Sequence, residues 1–390
     1  MVQEGSGAQS TQRVLAGLFV MYCRLTALGV SNSMSAWTQY PVAFNRIGFR
    51  AKLIVGRAGV ELPATVALEE NGITGQLRGD ICREFFDVIR SMNSDKPTIA
   101  VANGLRTLFP ITVLCSRIFE RLRPNFRRGR ARQYWVLKLD WDGIHEPGAG
   151  FWSRLVRTTV LVAASYVYDL VTIETSCGFG RVSRFPLINR PRLFLLANAV
   201  PYQLWPPIER RESPNSRTIL SVARVSREKG LEVLVRALAK ASSDIPGWRL
   251  RVVGEIQDRE YLKELRDLAQ SLGLERSVEF AGHVALPQLV DEYDRADIFC
   301  LPTLRESFGN ARIEALARAT PVITTDAGCG IDFERYGAVV VPAGDSTALA
   351  NAIVRIGKVG QTSGMTRASM LRSYEDQARE LVSRLESGTK

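Results

Sequence analysis

The chain has 390 residues, of which 46% are hydrophobic and 23% charged, and its formal net charge is +11 at pH 7. These proportions are typical of a globular protein and exclude a disordered one, and the length is sufficient for two domains. The longest charge-free apolar runs, 14–23 and 158–168, are only about ten residues long, whereas a membrane-spanning helix needs about 20. We therefore expect a cytoplasmic protein that either stays in solution or binds peripherally to the inner face of the membrane.

The six cysteines are scattered without any C-x-x-C pair, and the chain has only two histidines. This pattern predicts neither a zinc cluster nor a disulfide framework, and it favours a reducing compartment. We accordingly expect no bound metal. The cysteines are Cys23, Cys82, Cys115, Cys177, Cys300 and Cys329.

Residues 1–200 are predicted to form a first α/β domain. Strand-like apolar runs alternate there with segments long enough for helices, although less cleanly than in the second half of the chain. The runs are 13–20, 51–56, 98–103, 134–140, 170–176 and 192–198.

The first half also carries the whole positive excess of the chain, because residues 201–390 contain 26 basic and 26 acidic residues. The densest part is Arg117–Arg132, with seven arginines and one glutamate. Such a segment suits phosphates, whether of nucleic acid, of anionic lipid headgroups or of a phosphorylated substrate. A merely solvated face is an equally good interpretation.

A proline-rich, polar stretch at 201–217 predicts an interdomain linker, and residues 218–370 are predicted to form a second domain. Near-continuous apolar strands alternate there with amphipathic helices such as 231–238, which argues for a parallel sheet covered on both faces. Residues 371–390 contain a strong helical pattern at 374–386 with no strand after it, so this helix is free to pack back on the first domain. The predicted strands are 218–223, 249–254, 278–282, 297–302, 321–326 and 338–343.

The stretch "LRESFGNARIEALARATPVITTDAG", residues 304–328, places two glutamates eight residues apart around a glycine turn. Glu306 follows a predicted strand, and Glu314 lies on the second turn of a helix that begins near Asn310. Ligands of parallel α/β sheets bind beyond the carboxyl ends of the strands. At that place Gly309 would let the backbone come close to a ligand, and the unpaired N–H groups of the first helical turn suit an anion such as a diphosphate. Glu314 can then accept hydrogen bonds from a ribose diol and Glu306 from sugar hydroxyls. The pair alone is more typical of two solvated charges at the end of a helix.

The strand-to-helix turn "SVARVSREKG", residues 221–230, includes the cations Arg224 and Lys229, with Gly230 opening the next helix. Two cations at such a turn suit a pyrophosphate. Ordinary surface charges are the alternative interpretation.

Several segments in this half resemble, in order and spacing, the donor domain of family 4 glycosyltransferases. They are "SVARVSREKG", "RVVGE", "VEFAGHV", "DIFCLPTLRESFGNARIEALARATPVITTDAG" and "VVVPAGD". The resemblance covers residues 218–355 closely and the first half thinly, where "LLANAV" at 195–200 is similar to the N-G-V segment of the family. It implies the GT-B fold, in which two Rossmann-like, doubly wound parallel-sheet domains face each other across a cleft. It also implies an E-x7-E signature at Glu306 and Glu314.

The resemblance implies a retaining glycosyltransferase that uses a UDP- or GDP-linked sugar and needs neither metal nor cofactor. Arg224 and Lys229 would neutralise the leaving diphosphate, Glu306 would bind hydroxyls of the transferred sugar, and Glu314 would hold the ribose. The acceptor would bind to the basic first domain, and a lipid-phosphate-linked or membrane-displayed glycan of the cell envelope is the expected class.

Backbone amides complete the donor site implied by the resemblance. Those of Phe308, Gly309 and Asn310 would hold the sugar and the phosphates, and the turn at His283 and Val284 would lie beside the nucleotide base.

The first half departs from the family in two places. The loop 26–33, where many members carry paired glycines, has the single Gly29. The segment after the fourth strand, where many members carry a histidine, has Asp140 and Asp142 followed by His145. We expect one of the two aspartates to face the cleft as a catalytic group, with a capped strand and a simple turn as the alternative.

Two other functions are compatible with parts of the sequence. A nucleotide-sugar epimerase or a phosphorylase of the same fold would use the same donor residues. A nucleic-acid-binding protein would use the basic segment, but aromatic side chains should then alternate with the charges, and only Phe119 and Phe126 do so. It would also leave the two glutamates unexplained.

Overall fold

The computed structural model describes residues 17–23, 36–56, 74–78, 97–103, 132–139, 150–208, 215–359 and 367–388. These residues form two parallel β-sheets, each flanked by helices. No helix in these ranges is both long and apolar enough to cross a bilayer.

Seven strands form the first sheet. They are β1 (Leu18–Cys23), β2 (Arg50–Gly56), β3 (Thr74–Arg78), β4 (Thr98–Asn103), β5 (Gln133–Leu139), β6 (Leu170–Ile173) and β7 (Leu193–Leu195). Their order is β3-β2-β1-β4-β5-β6-β7, and every neighbouring pair is parallel. The helices described beside this sheet are α1 (Ala36–Arg46), α2 (Phe151–Val167) and α3 (Ser176–Val182).

Six strands form the second sheet. They are β8 (Thr218–Val222), β9 (Arg249–Val253), β10 (Val278–Gly282), β11 (Ile298–Leu301), β12 (Val322–Thr325) and β13 (Val339–Val341). The order β10-β9-β8-β11-β12-β13 is again all parallel. Its helices are α4 (Leu231–Ala241), α5 (Arg259–Ser271), α6 (Leu286–Arg295), α7 (Asn310–Ala317) and α8 (Ser346–Val359).

Central strands of both sheets, such as β5, β6, β11 and β12, are buried on both faces, as near-continuous apolar strands predict. Every residue of β11 and β12 is buried, including Cys300 in β11. Each helix buries one row of apolar side chains; in α5 these include Tyr261, Leu262 and Leu265. The Asp258 carboxylate caps the start of α5 by accepting a hydrogen bond from the Tyr261 N–H at 2.8 Å. The resulting layers of helix, sheet and helix are those of a doubly wound fold.

The last helix, α9 (Tyr374–Ser387), packs against α1 on the first sheet rather than on the second. A capping box between Ser373 and Asp376 fixes its start. The Tyr374 ring meets the Tyr40 ring edge-on at 5.1 Å, and the Tyr40 hydroxyl donates to Gln377 Oε1 at 2.7 Å. Each large apolar side chain buried in this way stabilises the fold by roughly 1.5–3 kcal/mol.

The first sheet differs from the predicted one at four strands. The strands β6 and β7 end at Ile173 and Leu195, three residues before their predicted ends. The strand β3, "TGQLR", was not predicted, because a strand at the sheet edge needs no continuous apolar run. The strand β1 continues to Cys23, three residues beyond its predicted end, because an unbroken apolar run does not mark its own boundary.

Candidate active site at the switch point of the second sheet

The strand order of the second sheet reverses between β8 and β11, which lie side by side although β9 and β10 come between them in the sequence. In such sheets the loops after these two strands diverge and leave a crevice at their carboxyl ends. The loop after β8 carries Arg224 and Lys229, and the loop after β11 carries Glu306. The topology therefore brings together residues that are about 80 positions apart in the sequence.

The two loops are joined through their backbones. A short 3-10 helix, Arg227–Lys229, follows β8, and the carbonyl oxygen of Glu228 accepts from the N–H groups of Leu304 and Arg305 at 2.8 and 3.2 Å. Gly230 ends this helix with φ +60°, and a Cβ on it would lie 2.4 Å from the carbonyl oxygen of Pro302. Only glycine allows both the left-handed backbone and this close approach.

Lys229 and Glu306 form an ion pair at the centre of the crevice. The Lys229 Nζ lies 2.7 Å from Glu306 Oε2, and each side chain is only 11% exposed. The Arg224 guanidinium is 43% exposed and binds Glu228 at 2.8 Å and Gln257 at 3.0 Å. The site therefore has one inner cation held by a carboxylate and one outer cation at its rim.

The helix α7 begins at Asn310, four residues after Glu306. Gly309 precedes it with φ +78°, and the Phe308 side chain is buried against the Phe333 ring at 5.1 Å. The first turn of α7 leaves backbone N–H groups without partners inside the helix, and these favour an anion. The Asn310 Oδ1 accepts from Asn198 Nδ2 at 3.0 Å, so the first residue of α7 also contacts the segment after β7.

Glu314 lies below the crevice, on the second turn of α7. Only 6% of the residue is exposed, and its Oε2 accepts from the Tyr293 hydroxyl at 2.8 Å. Burial raises the pKa of the carboxyl to about 7, and the Tyr293 hydrogen bond opposes that rise. Glu314 is thus a shielded acceptor whose charge changes near neutral pH.

Arg312 was not predicted from the sequence, although it is fully buried between the loops after β11 and β12. Its guanidinium donates to the carbonyl oxygens of Phe308 at 3.1 Å and Ala327 at 2.9 Å, and it lies 5.1 Å from the Phe333 ring centre. Burial lowers the pKa of Arg312 to about 10, and the negative charges of Glu306 and Asp332 act against that change. The residue joins the loop after β11 to the loop after β12.

The loop after β12 also packs closely against the backbone of Glu306. A Cβ on Gly328, which has φ +59°, would lie 2.6 Å from the Glu306 carbonyl oxygen. An arginine inside an apolar helix is the one sequence signal that indicates Arg312, and it does not reveal the carbonyl acceptors.

The turn predicted to lie beside the base is farther away. It follows β10 at the sheet edge, and two strands separate β10 from β11. His283 is exposed there, and Val284 is half-buried against the apolar cluster on one face of the sheet.

Other predicted site residues lie outside the residues that the structure describes. These are Gly29, Asp140, Asp142, His145 and the basic segment up to position 131. Within the described ranges, no group of three or more histidine, cysteine, aspartate or glutamate residues could hold a metal ion.

The two sheets meet at this crevice through side chains that the sequence did not connect. Ser176, at the start of α3, donates its N–H to Asp332 at 2.9 Å, and its hydroxyl also donates to that carboxylate. Asn198 bridges Asn310 and Glu174 through hydrogen bonds to both. The loop after β12 is therefore attached to the first half of the chain.

A disulfide joins Cys177 of α3 to Cys329 in that same loop, with 5.9 Å between the Cα atoms. The sequence predicted no disulfide framework and did not indicate this single bridge. The two cysteines are 152 residues apart, and such a separation gives no spacing pattern from which a bridge is predicted. Cys300, by contrast, is a free and buried thiol whose pKa burial raises.

The domain that holds the crevice matches a known family. Residues 208–363 match the family described as "Glycosyl transferases group 1". This part of the chain is therefore similar to the glycosyl transferases of group 1. The predicted resemblance to family 4 glycosyltransferases is thereby confirmed for the half of the chain on which it was based.

Two curated relatives are similar to the same half. An exopolysaccharide phosphotransferase of Streptomyces coelicolor is 34% identical over 194 residues, which are 49% of this chain and 19% of that protein. A phosphatidyl-myo-inositol mannosyltransferase of Mycobacterium leprae is 35% identical over 144 residues, 36% of this chain and 37% of that protein. The matched part thus spans less than two-fifths of either relative.

Solved structures extend the likeness to the whole fold. The HepE protein of Anabaena, crystallised with UDP and glucose, superposes with a TM-score of 0.68 over 95% of this chain and 100% of its own, at 18% identity. The predicted α/β architecture of two Rossmann-like parallel-sheet domains in the GT-B arrangement is confirmed.

Proposed function

We propose that this protein is a retaining glycosyltransferase that moves a sugar from a nucleoside diphosphate to an acceptor bound by its first domain. The observation that carries the proposal is the Lys229–Glu306 ion pair at the switch point, 2.7 Å apart and nearly buried, directly before the N-terminus of α7. A cation, a carboxylate and free backbone N–H groups at one point suit a diphosphate attached to a sugar.

The chemistry follows from the charge that develops in the transition state. When the glycosidic bond breaks, negative charge builds on the leaving diphosphate, and Lys229 and Arg224 stabilise it. The diphosphate then competes with Glu306 for the Lys229 ammonium. This competition frees the Glu306 carboxylate to accept hydrogen bonds from the sugar hydroxyls, and the amides of Phe308, Gly309 and Asn310 complete the cradle.

The nucleoside occupies the side of the crevice towards α6 and β10 in this proposal. Glu314 keeps the Tyr293 hydrogen bond on Oε2 and accepts from the ribose diol with Oε1. His283 and Val284 lie beside the base. UDP or GDP is the expected nucleotide, and the reaction needs no metal cofactor.

The first domain would supply the acceptor site. One of Asp140 and Asp142 is proposed to face the reacting carbon, with Gly29 near the donor phosphates. The basic segment Arg117–Arg132 suits a phosphorylated or lipid-displayed acceptor, because seven arginines attract anionic headgroups strongly. Peripheral binding to the inner face of a membrane follows from that acceptor class.

Thermal-shift measurements with UDP, GDP, ADP and CMP test the donor site. A nucleotide at about 100 times its dissociation constant adds roughly 2.7 kcal/mol of stability. We expect one nucleoside diphosphate to raise the melting temperature of the wild type but not of Lys229→Met. The control variant Lys263→Met removes an exposed lysine on α5 and should respond like the wild type. Equal responses of Lys229→Met and the wild type would contradict the assignment.

A further inference from the structure

The helix α2 has an apolar face that points into solvent. Exposed side chains recur every three or four residues along it, so they share one side of the helix. Trp152 is 75% exposed, Val156 59% and Tyr166 63%. The face, called the α2 outer face below, comprises Phe151, Trp152, Leu155, Val156, Thr159, Ala163 and Tyr166.

The opposite side of α2 already supplies the contacts that the fold needs. Leu161, Ala164 and Ser165 are buried against the first sheet. A helix that is apolar on both sides is expected in a buried position, whereas an ordinary surface helix is polar outside. The exposure of several large apolar side chains together indicates an interaction surface.

Three hydroxyl groups on or beside this face already donate hydrogen bonds within the chain. The hydroxyls of Thr158 and Thr159 donate to carbonyl oxygens one turn earlier, at 2.9 Å each. The Tyr166 hydroxyl donates to the carbonyl oxygen of Leu187 at 2.9 Å, and Leu187 is itself 80% exposed. Covering the α2 outer face with hydrocarbon would therefore leave none of these three hydroxyls without a partner.

The charge around α2 is positive. The helix contains two arginines and no acidic residue, and Arg184 and Arg190 are exposed on the segments that follow it. The acidic residues of 150–192 are Asp169 and Glu174, and both face inward. Asp169 accepts from the Trp135 N–H at 2.7 Å, and Glu174 is 2% exposed.

We propose that the α2 outer face lies in the interfacial plane of an anionic lipid bilayer. An apolar helix face with tryptophan and phenylalanine at one end, arginines nearby and no carboxylate matches the chemistry of that interface. The helix is about 25 Å long, so it lies along the surface rather than across the bilayer. This inference rests on the proposed function for its biological purpose, a membrane-displayed acceptor, but the binding is measurable without any substrate.

Vesicle co-sedimentation tests the proposal with the full chain. The probes are phosphatidylcholine vesicles with about one-third phosphatidylglycerol, and pure phosphatidylcholine vesicles. We expect the wild type to bind the anionic vesicles more strongly, and the double variant Trp152→Gln/Val156→Gln to bind them about tenfold less or worse. The control Ile256→Gln/Leu272→Gln removes two exposed apolar side chains of the second domain and should bind like the wild type.

The outcomes separate this inference from the proposed function. Binding that the α2 double variant retains, or a wild type that binds neither vesicle, would overturn the inference. A dimer in size-exclusion chromatography that the double variant loses, without vesicle binding, would instead identify a protein interface and would also overturn it. Circular dichroism of the double variant confirms that it folds, and nucleotide binding by that variant tests the donor site independently.

Discussion

Glu314 lies in an environment that disfavours its charged form. The carboxyl is buried, and one hydroxyl, that of Tyr293, supports its charge within the fold. Desolvation therefore raises its pKa from the usual 4.5 to about 7. The consequence is a free energy of unfolding that depends on pH across the range between those two values.

The sign of that dependence follows from which state ionises first. Below pH 4.5 the carboxyl is protonated in the folded and the unfolded chain. As the pH rises towards 7, the unfolded chain loses its proton first, so stability falls by on the order of 3 kcal/mol and the loss is complete above the folded pKa. Glu314→Gln keeps an acceptor for Tyr293 and removes the ionisation, so we expect the variant to lack this loss.

Urea unfolding of both proteins at about pH 5 and about pH 8 measures the difference. Relative to the wild type, Glu314→Gln should gain stability as the pH rises. The exposed variant Glu260→Gln, on the first turn of α5, controls for the loss of a carboxylate. A Glu314→Gln variant whose stability falls in parallel with that of the wild type would show that Glu314 does not titrate in this range.

Single residues of the crevice differ in how far the sequence reveals them. Lys229, Glu306 and Glu314 are indicated by their place after predicted strands and around a glycine turn. Their partners are not, because the ion pair at 2.7 Å and the Tyr293 hydrogen bond depend on how separate loops fold together. Arg312 could be predicted only as a buried arginine, since its acceptors are backbone carbonyls, which every residue carries.

At the scale of elements, the crevice depends on how closely the turn after β8 approaches the loop after β11. Gly230 and Gly273 both have left-handed backbones, with φ +60° and +68°. A Cβ on Gly230 would meet the Pro302 carbonyl oxygen at 2.4 Å, whereas nothing lies within 4 Å of a Cβ on Gly273. Alanine substitutions at the two positions therefore separate the loss of stability caused by the left-handed backbone from the loss caused by steric crowding of the added Cβ.

We expect Gly273→Ala to lower the free energy of unfolding by about 1 kcal/mol, through its backbone conformation alone. Gly230→Ala should lower it by about 3 kcal/mol or more, because the loop that carries Glu306 has to move as well. Chemical unfolding measures both costs, and calorimetric titration with the stabilising nucleotide measures affinity. Affinity should fall only in Gly230→Ala; an equal effect of the two substitutions on stability would contradict the role of crowding.

Most elements of the second sheet follow from the sequence, because strands buried on both faces are continuous apolar runs. The strand β10 lies at its predicted bounds, and α7 begins at the predicted Asn310. Polar edge strands such as β3 do not follow, because their composition is that of a loop.

At the scale of the whole molecule, three of the connections between the halves of the chain link residues that are very far apart in the sequence. The helix α9 returns from the second half to pack on α1, the Ser176–Asp332 hydrogen bonds span the crevice, and the Cys177–Cys329 disulfide lies beside them. All three link residues that are more than 150 positions apart. Local pattern in a single sequence reveals the helix α9 but not what it packs against, and it reveals neither of the other two contacts.

The proposed glycosyl transfer is tested most directly by proton NMR of the full chain incubated with UDP- and GDP-linked sugars. Transfer to water is a slow side reaction of such a site and requires no knowledge of the acceptor. We predict that one donor yields free nucleoside diphosphate and a sugar that first appears with the anomeric configuration of the donor, before mutarotation equilibrates it. The Lys229→Met variant should not produce either signal.

An intact nucleotide sugar with an inverted ring carbon would identify an epimerase, and a sugar of opposite anomeric configuration would contradict retention. If no donor reacts with or without added acceptor glycans, although a nucleotide binds, the assignment of the crevice as a transferase site is wrong.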